Sequence, residues 1–141
     1  MEKKFHKLFI GTHNLHYKKS TSRFAAIGLS PGQPKILETL KVLDGCTQKE
    51  LAKACDVEPA TITSILPSME KNDLIKRETI IYEVSKRALS VSLTDKGKVM
   101  EGKVNNIFDE IEELSFKGFS DEEKENFLTM LERIYSNICE D

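Results

Sequence analysis

Long apolar runs, tryptophan and paired cysteines are missing from this sequence of 141 residues. No apolar stretch approaches the roughly 20 residues that a membrane-spanning helix requires. The start, Met1-Glu2-Lys3-Lys4, leads into amphipathic sequence without the apolar core of a signal peptide. The three cysteines are an odd number and lie far apart, which argues against a disulfide framework and against a zinc-ligand pattern. We therefore expect one cytoplasmic domain over residues 1–141, without a membrane partner.

The motifs of common catalytic and nucleotide-binding sites are absent as well. The sequence contains no nucleophile elbow, no P-loop and no glycine-rich dinucleotide loop. His6, His13 and His16 lie near one another on the first predicted helix, but no Cys or acid stands at ligand spacing beside them. Surface or interface histidines are the simpler interpretation. An enzyme, a cofactor and a bound metal are therefore not expected.

Neither sign of charge dominates the chain, whose formal net charge is −2, but the charges are unevenly distributed. Residues 1–46 carry eight Lys or Arg against three acids, and residues 47–100 carry nine against eight. Residues 101–141 carry four against twelve, so the acidic excess is confined to the C-terminal segment. If DNA is the partner, the near-neutral middle segment predicts a modest non-specific affinity.

Residues 47–97 have the pattern of a helix-turn-helix followed by a two-stranded hairpin. Thr47 with Glu50 three residues later is a capping box, which predicts the start of a short helix. Asp56-Val57 predicts a turn, because Asp tolerates the left-handed conformation better than most residues. Pro59 suits the first position of a second helix, where its missing N–H costs no helical hydrogen bond. This arrangement lays the second helix in the major groove of DNA.

The second helix of this pair has one apolar face and one small polar face. A slim face rich in hydroxyls can approach base edges, and because hydroxyls discriminate bases weakly, DNA shape should contribute to specificity. Pro67 should kink this helix or end it early, because it removes the hydrogen bond to the Thr63 carbonyl. Helical periodicity assigns Ile62, Ile65, Leu66 and Met69 to the core, and the predicted DNA-binding residues are Ala60, Thr61, Thr63, Ser64, Ser68 and Lys71.

A hairpin, the wing, should follow this helix. Leu89, Val91 and Leu93 alternate with two serines, which is the period of a half-buried strand. Its partner should be Ile75 to Tyr82, which leaves Glu83 to Arg87 as the tip of the hairpin. Basic residues at such a tip suit contacts with phosphates or with the minor groove. The wing and backbone residues predicted to contact DNA are Ser85, Lys86, Arg87, Lys35, Gln48 and Lys49.

The remaining sequence predicts four amphipathic helices. Residues 3 to about 27 form the first, and Ser30-Pro31-Gly32-Gln33 reads as a capping box for the second. Thr94 should cap a long helix that ends near Lys117-Gly118-Phe119, and Ser120 should cap the last one. The terminal helices carry more apolar surface than a small winged-helix core can hide, which favours a homodimer over packing within one chain. The predicted dimerisation residues are Phe5, Leu8, Phe127, Leu131, Ile134 and Ile138.

Five motifs follow one another along the chain: Leu29-Ser30-Pro31-Gly32-Gln33, the unit from Thr47 to Leu66, Leu74-Ile75-Lys76-Arg77, Lys86-Arg87 and Leu93-Thr94-Asp95-Lys96-Gly97. Over nearly its whole length the chain thus resembles the MarR family of transcription regulators. The resemblance implies a mainly α fold with a small β-hairpin wing, a winged helix-turn-helix with N- and C-terminal dimerisation helices. It assigns residues 30–97 to the DNA-binding core, and residues 1–29 and 98–141 to dimerisation.

The chain also departs from the family pattern. Ser85 stands where the family usually has an Asp that braces an arginine of the wing. An Arg is common at the position of Ser64, and a Gly at that of Asp73. These departures bear on the rigidity of the wing and on base preference, and they leave the fold expectation unchanged.

Members of the MarR family often bind small, frequently aromatic or anionic effectors that release them from DNA. On this resemblance, an effector would lie between the first two helices and the long helix after the wing. His13, His16 and Arg23 are the candidate residues for such a pocket. Binding there would shift the two recognition helices out of step with the repeat of the DNA groove.

The most concrete hypothesis is therefore a dimeric, sequence-specific DNA-binding transcription regulator. It would repress from a palindromic operator on double-stranded DNA and respond to a small molecule. One alternative is a winged-helix module that binds protein rather than DNA, which the near-neutral outer helix face and Ser85 favour. Another is a redox-sensing regulator acting through Cys46, which lies just ahead of a helix N-terminus where the dipole favours thiolate.

Overall fold

The computed structural model describes residues 3–84 and 86–141, and in those ranges the chain forms six α-helices and three β-strands. Ser85, predicted to contact DNA from the wing, lies outside the described residues. The helices are α1 Phe5–Ala26, α2 Gln33–Val42, α3 Gln48–Ala54, α4 Pro59–Lys71, α5 Asp95–Ser115 and α6 Asp121–Cys139. The strands are β1 Cys46–Thr47, β2 Ile75–Glu83 and β3 Lys86–Leu93. The predicted fold class, mainly α with a small β wing, is confirmed.

The chain divides into two compact units, residues 1–108 and 109–141. The core of the first unit consists of apolar side chains from the helices and from the sheet, which are fully buried. Their burial from water is the main force that holds the helix-turn-helix against the wing. The largest of these side chains are Ile36, Leu37, Leu40, Leu51, Ile62, Leu66, Met69, Ile75, Val91 and Val104.

The second unit contains the end of α5 and the whole of α6. Phe116 packs edge to face against Phe119 and Phe127, with ring centroids 5.3 and 5.7 Å apart. Lys124 lies over the Phe116 ring and forms an ion pair of 3.3 Å with Glu112. No residue of α6 is buried. Among the described residues, no helix combines the length and the apolarity that crossing a lipid bilayer demands.

The sheet contains a strand that the sequence did not predict. Its order is β1-β3-β2, with both pairs antiparallel, and Cys46 and Thr47 of β1 lie opposite Val91 and Ser90. Two residues are too few to give a strand period, so β1 depends on the presence of β3. The pairing also explains why Ser90 is buried, since its hydroxyl donates to the Gly45 carbonyl at 3.0 Å.

The predicted alternation of buried leucine or valine with exposed serine therefore fails at Leu89 and Ser90, in the first part of β3. Val91 and Leu93 are buried as expected, but Leu89 is 41% exposed while Ser90 is buried. Ser90 is tolerated inside because a backbone carbonyl satisfies its hydroxyl.

The tip of the wing is shorter than predicted. β3 begins at Lys86, so Lys86 and Arg87 belong to the strand and not to the turn. Arg87 lies opposite Ile81, and Lys86 lies opposite Glu83 with a register shift between the two pairs. The side chains of both basic residues are exposed, so no apolar alternation marked the strand here.

Two of the predicted capping boxes are confirmed. The Thr47 hydroxyl accepts from the Glu50 backbone N–H at 3.1 Å, and the Ser120 hydroxyl accepts from that of Glu123 at 3.1 Å. Only half of the box predicted at Ser30 forms. α2 starts at Gln33 behind Gly32, a left-handed N-cap residue with φ of 89°. The Gln33 side chain accepts from the Ser30 N–H at 3.1 Å, as in a capping box, but no side chain caps the N-terminus of α2 in return.

Of the two outcomes predicted for Pro67, a kink or an early end of α4, the early end does not occur, because the helix continues to Lys71. Leu66 and Met69, on either side of the proline, are fully buried. Their burial offsets the single hydrogen bond that Pro67 cannot make. Tertiary packing thus overrides the local preference.

Candidate nucleic-acid interface

The turn between α3 and α4 has the geometry of a helix-turn-helix. Asp56 adopts a left-handed conformation with φ of 55°, as predicted. Its N–H donates to the Lys53 carbonyl at 3.1 Å, and the Val57 N–H donates to the Ala52 carbonyl at 3.1 Å. α4 then begins at Pro59, its first helical residue. The turn is therefore tight and internally hydrogen-bonded.

One side of α4 faces the core and the other is exposed. Ile62, Leu66 and Met69 are fully buried and Ile65 is half-buried, in agreement with the predicted periodicity. Buried apolar residues on one side leave the other side available for a partner. The exposed residues include the whole predicted DNA-binding set: Ala60, Thr61, Thr63, Ser64, Ser68 and Lys71.

Two hydroxyls on this exposed face are oriented by the helix itself. Thr63 donates its hydroxyl proton to the Pro59 carbonyl at 3.0 Å, and Ser64 donates to the Thr61 carbonyl at 2.9 Å. Because each proton is used inside the helix, each oxygen is left as an acceptor. Acceptors on a major-groove helix can receive hydrogen bonds from the exocyclic amino groups of adenine and cytosine.

Ser68 differs from the other polar residues of this face. Its hydroxyl oxygen accepts a hydrogen bond of 3.1 Å from the side-chain amide of Gln33, at the start of α2. It therefore lies at the edge of the exposed face that adjoins α2.

An open groove of about 1060 Å³ separates α3 from the wing. Of the residues predicted to contact the DNA backbone, Gln48, Lys49 and Arg87 all line it. Tyr82 and Leu89 of the wing form part of its apolar lining, and both are substantially exposed. The structure thus brings basic residues from a helix and from a strand to one surface beside α4.

The other two basic residues of that set lie elsewhere. Lys86 forms an ion pair of 2.9 Å with Glu83 across the end of the wing. Lys35 lines a separate cavity next to α1, so it does not join Gln48, Lys49 and Arg87.

Arg77 connects the wing to the helix-turn-helix, a role that its sequence position did not reveal. Its guanidinium donates to both carboxylate oxygens of Glu70 on α4, at 3.1 and 3.3 Å, and to the Gln48 side-chain oxygen at 3.2 Å. These hydrogen bonds hold the pKa of the Glu70 carboxyl below its ordinary value. Gln48, predicted to contact DNA, therefore also has a structural partner.

The motif Leu93-Thr94-Asp95-Lys96-Gly97 joins α5 to the end of α4. The Thr94 hydroxyl donates to the Asp73 carbonyl at 2.5 Å and accepts from the Gly97 N–H at 2.9 Å, which confirms Thr94 as a cap. Lys96 donates to the Asn72 carbonyl at 2.9 Å. At Gly97 a Cβ would lie 2.0 Å from the Leu74 carbonyl oxygen, so only glycine permits this approach.

A cavity of about 170 Å³ lies between α1, the turn and first residues of α2, and Phe108 of α5. His13 and His16 line this cavity, whereas Arg23 is not among its lining residues. Phe24 and Phe108 pack edge to face at its wall, with ring centroids 5.1 Å apart. Lys35 is the cation of the lining, and the sequence had assigned it to DNA instead.

The environment of Cys46 opposes thiolate formation. Burial raises the pKa of the Cys46 thiol above its ordinary value of 9.0, and the nearby Glu50 carboxylate raises it further. This is the reverse of the low thiol pKa expected from the helix dipole. Within residues 3–84 and 86–141, no group of three or more His, Cys, Asp or Glu side chains is arranged to hold a metal ion.

The tight turn, the exposed face of α4 and the adjoining wing define a winged helix-turn-helix protein. Comparison with known proteins agrees: the MarR family profile matches residues 29–80. The chain is 33% identical over 120 residues to the HTH-type transcriptional repressor YetL of Bacillus subtilis (strain 168), covering 82% of this chain and 69% of that protein. The chain belongs to the MarR family, which consists of transcription regulators rather than enzymes.

Solved structures show the same fold. The crystal structure of MepR, a transcription regulator of the Staphylococcus aureus multidrug efflux pump MepA, is 26% identical with a TM-score of 0.73 and covers 96% of this chain and 98% of its own. The S. aureus MepR–DNA complex, 24% identical, superposes with a TM-score of 0.81 over 96% of each chain.

Proposed function

We propose that this protein is a homodimeric, sequence-specific DNA-binding transcription regulator that acts as a repressor. The observation that carries the proposal is the two-sided nature of α4. Its apolar side is buried in the first unit, while all six α4 residues predicted to bind DNA are exposed on the other side. A helix presented in this way after a tight turn fits the major groove. Sequence similarity to a transcriptional repressor of B. subtilis supports repression rather than activation.

The backbone of the DNA would lie along the groove between α3 and the wing. Lys49 and Arg87 supply positive charge there, and Tyr82 and Leu89 supply apolar surface suited to the sugars. Contacts of this kind fix the register of the protein on DNA, while α4 reads the bases.

Exposed apolar residues on the terminal helices support the homodimer. In a single chain, Phe5 is 57% and Ile138 is 66% exposed, and Leu8 and Phe127 are also exposed. Leu131 and Ile134 on α6 are half-buried. A two-fold dimer would cover these side chains and present two copies of α4 to the half-sites of a palindromic operator. A regulator of this kind would act in the cytoplasm, where the DNA is.

The cavity beside α1 is the proposed site for a small aromatic or anionic effector. Its aromatic wall of Phe24 and Phe108 suits a ring, and His13, His16 and Lys35 offer polar or cationic groups at the edge. The sequence suggested Arg23 for the cationic role, but in this proposal Lys35 takes that role, because it lines the cavity and Arg23 does not.

The decisive experiment is the selection of binding duplexes from a random-sequence library, followed by titration at low and high salt. Ser64→Glu places a negative charge on the outward face of α4 and should abolish binding of the selected duplex. Ser22→Glu adds the same charge on the exposed surface of α1 and should leave binding close to that of the wild type. Failure to select any duplex at low salt would overturn the proposal and favour a module that binds protein.

A further inference from the structure

The turn between α1 and α2 contacts both the cavity and the recognition helix α4. Ser30, Pro31 and Gly32 line the cavity. At Gly32, where φ is +89°, a Cβ would lie only 2.9 Å from the Cδ1 atom of Ile65 on α4. The backbone of the cavity wall therefore packs directly on the inner side of α4.

Gln33 adds a polar connection to this packing. Its side chain is nearly inaccessible, with 3% of the residue exposed. The side-chain oxygen accepts from the Ser30 N–H at 3.1 Å, and the side-chain nitrogen donates to the Ser68 hydroxyl at 3.1 Å. A buried amide that loses a partner is destabilised, because water cannot replace the lost hydrogen bond. A movement of the Ser30 peptide must therefore either move Ser68 or break one of the two bonds.

We propose that Gln33 is a positioning residue that ties α4 to the wall of the cavity, so that filling the cavity and binding DNA are linked through its hydrogen bond to Ser68. The inference rests on the proposed function, because the linked property is the DNA affinity of α4. An occupant that touches Ser30 or Pro31 displaces the peptide that holds the Gln33 oxygen. The displacement reaches the last turns of α4, where Ser68 lies. Linkage is reciprocal, so DNA binding changes the affinity of the cavity for its occupant by the same factor.

A double-mutant cycle tests this link without an identified effector. Ser20 lines the cavity from α1, and Ser20→Leu places an apolar side chain in the cavity as a permanent occupant. Gln33→Met removes both hydrogen bonds of Gln33 while keeping the length of its side chain. The dissociation constant of the selected duplex is measured for the wild type, both single variants and the double variant, after thermal unfolding has shown that each is folded.

We expect Ser20→Leu to change the dissociation constant by about fivefold or more, the usual size of a coupling between two sites. Gln33→Met alone should weaken DNA binding by roughly two- to tenfold, the range that one neutral hydrogen bond supplies. In the Gln33→Met background, Ser20→Leu should change the constant by less than about twofold, since the link has been removed.

A conservative variant separates positioning from a general loss of packing. In Gln33→Glu, the carboxylate can still accept from the Ser30 N–H and can accept from the Ser68 hydroxyl. This variant should therefore retain the effect of Ser20→Leu. If Ser20→Leu does not fold, Thr21→Leu, on the same cavity wall, takes its place in the cycle.

Additive effects of the cavity and Gln33 variants would overturn the inference, and so would a cavity variant that leaves the DNA affinity of the wild-type background unchanged. Both results leave the DNA-binding proposal intact. If no duplex is bound at all, the proposed function fails. Amide hydrogen exchange of α4 then tests whether Gln33 positions this helix. An unchanged exchange rate of the α4 amides in Gln33→Met would refute its positioning role.

Discussion

Arg77 on the first strand of the wing forms a two-pronged ion pair with Glu70 on the recognition helix, with N–O distances of 3.1 and 3.3 Å. The same guanidinium reaches Gln48 at the start of α3, at 3.2 Å. Only 20% of the Arg77 side chain is exposed. One side chain thus holds the wing, α3 and α4 in a common arrangement, which planar guanidinium groups do better than the flexible ammonium of lysine.

The Arg77–Glu70 pair should make stability depend on acidity in a defined direction. The pKa of Glu70 lies below its ordinary value of 4.5 in the folded chain. A lowered carboxyl pKa contributes stability above the unfolded pKa, and that contribution is lost as the pH falls through the folded pKa. The thermal midpoint of Glu70→Gln should therefore be lower than that of the wild type at neutral pH, and the gap should close as the pH drops below 4.5.

A suitable control for this measurement is Glu78→Gln, on the same strand as Arg77. The Glu78 carboxylate is 3.8 Å from Lys76 and well exposed, so its replacement should alter the midpoint little. A gap for Glu70→Gln that persists unchanged at low pH would contradict the assignment.

The two basic residues at the end of the wing should differ in their contribution to DNA binding. Arg87 lines the groove beside α3, whereas Lys86 is paired with Glu83 at 2.9 Å. Arg87→Ala should weaken binding and reduce the slope of log affinity against log salt by about one. Lys86→Ala should change both quantities less, because the charge of Lys86 is already compensated. Lys117→Ala, which removes a charge from the second unit, serves as the control, and an unchanged slope for Arg87→Ala would refute the wing contact.

Gly97 should be the least replaceable residue of α5. A methyl group there would meet the Leu74 carbonyl oxygen at 2.0 Å, so Gly97→Ala should cost about 1–3 kcal/mol or more in the free energy of unfolding. Gly102, five residues further along the same helix, has no atom outside its own stretch of helix within 4 Å of the corresponding position. Gly102→Ala should therefore be neutral or stabilising by about 0.5–1 kcal/mol. Chemical denaturation measures both, and equal effects would contradict the close approach at Gly97.

Cys46 should be a poor redox sensor. Its thiol pKa is raised by burial and by Glu50, so thiolate is scarce at neutral pH. A thiol-specific reagent should modify the exposed Cys139 well before Cys46, and Cys46→Ser should bind DNA as the wild type does. Mass spectrometry of timed samples gives the order of modification. Loss of DNA binding on mild oxidation that Cys46→Ser prevents would revive the redox hypothesis.

The dimer should depend on the apolar stripe of α6. Ile138→Glu puts a charge on a side chain that is 66% exposed in the single chain, and should shift sedimentation equilibrium towards monomer. Asn137→Glu places the same charge at the neighbouring position, off the stripe, and should remain dimeric. A wild-type chain that sediments as a monomer at micromolar concentration would contradict the homodimer.

Local interactions explain what the sequence by itself determined. The caps at Thr47 and Ser120 and the left-handed turn at Asp56 each involve atoms only a few residues apart, so residue type and spacing were enough to predict them. The buried and exposed sides of α4 followed from helical periodicity. The ordered motifs together indicated the family.

The tertiary structure decided everything that depends on residues distant in sequence. β1 exists because β3 lies beside it, Pro67 stays helical because its neighbours are buried, and Lys35 lines the cavity because the start of α2 lies near α1. Arg77 of β2 and Gln33 of α2 both have hydrogen-bond partners on α4, and no local sequence pattern predicts these contacts. Such pairings depend on which surfaces come together when the core packs. The spacing of residues along the sequence does not contain that information.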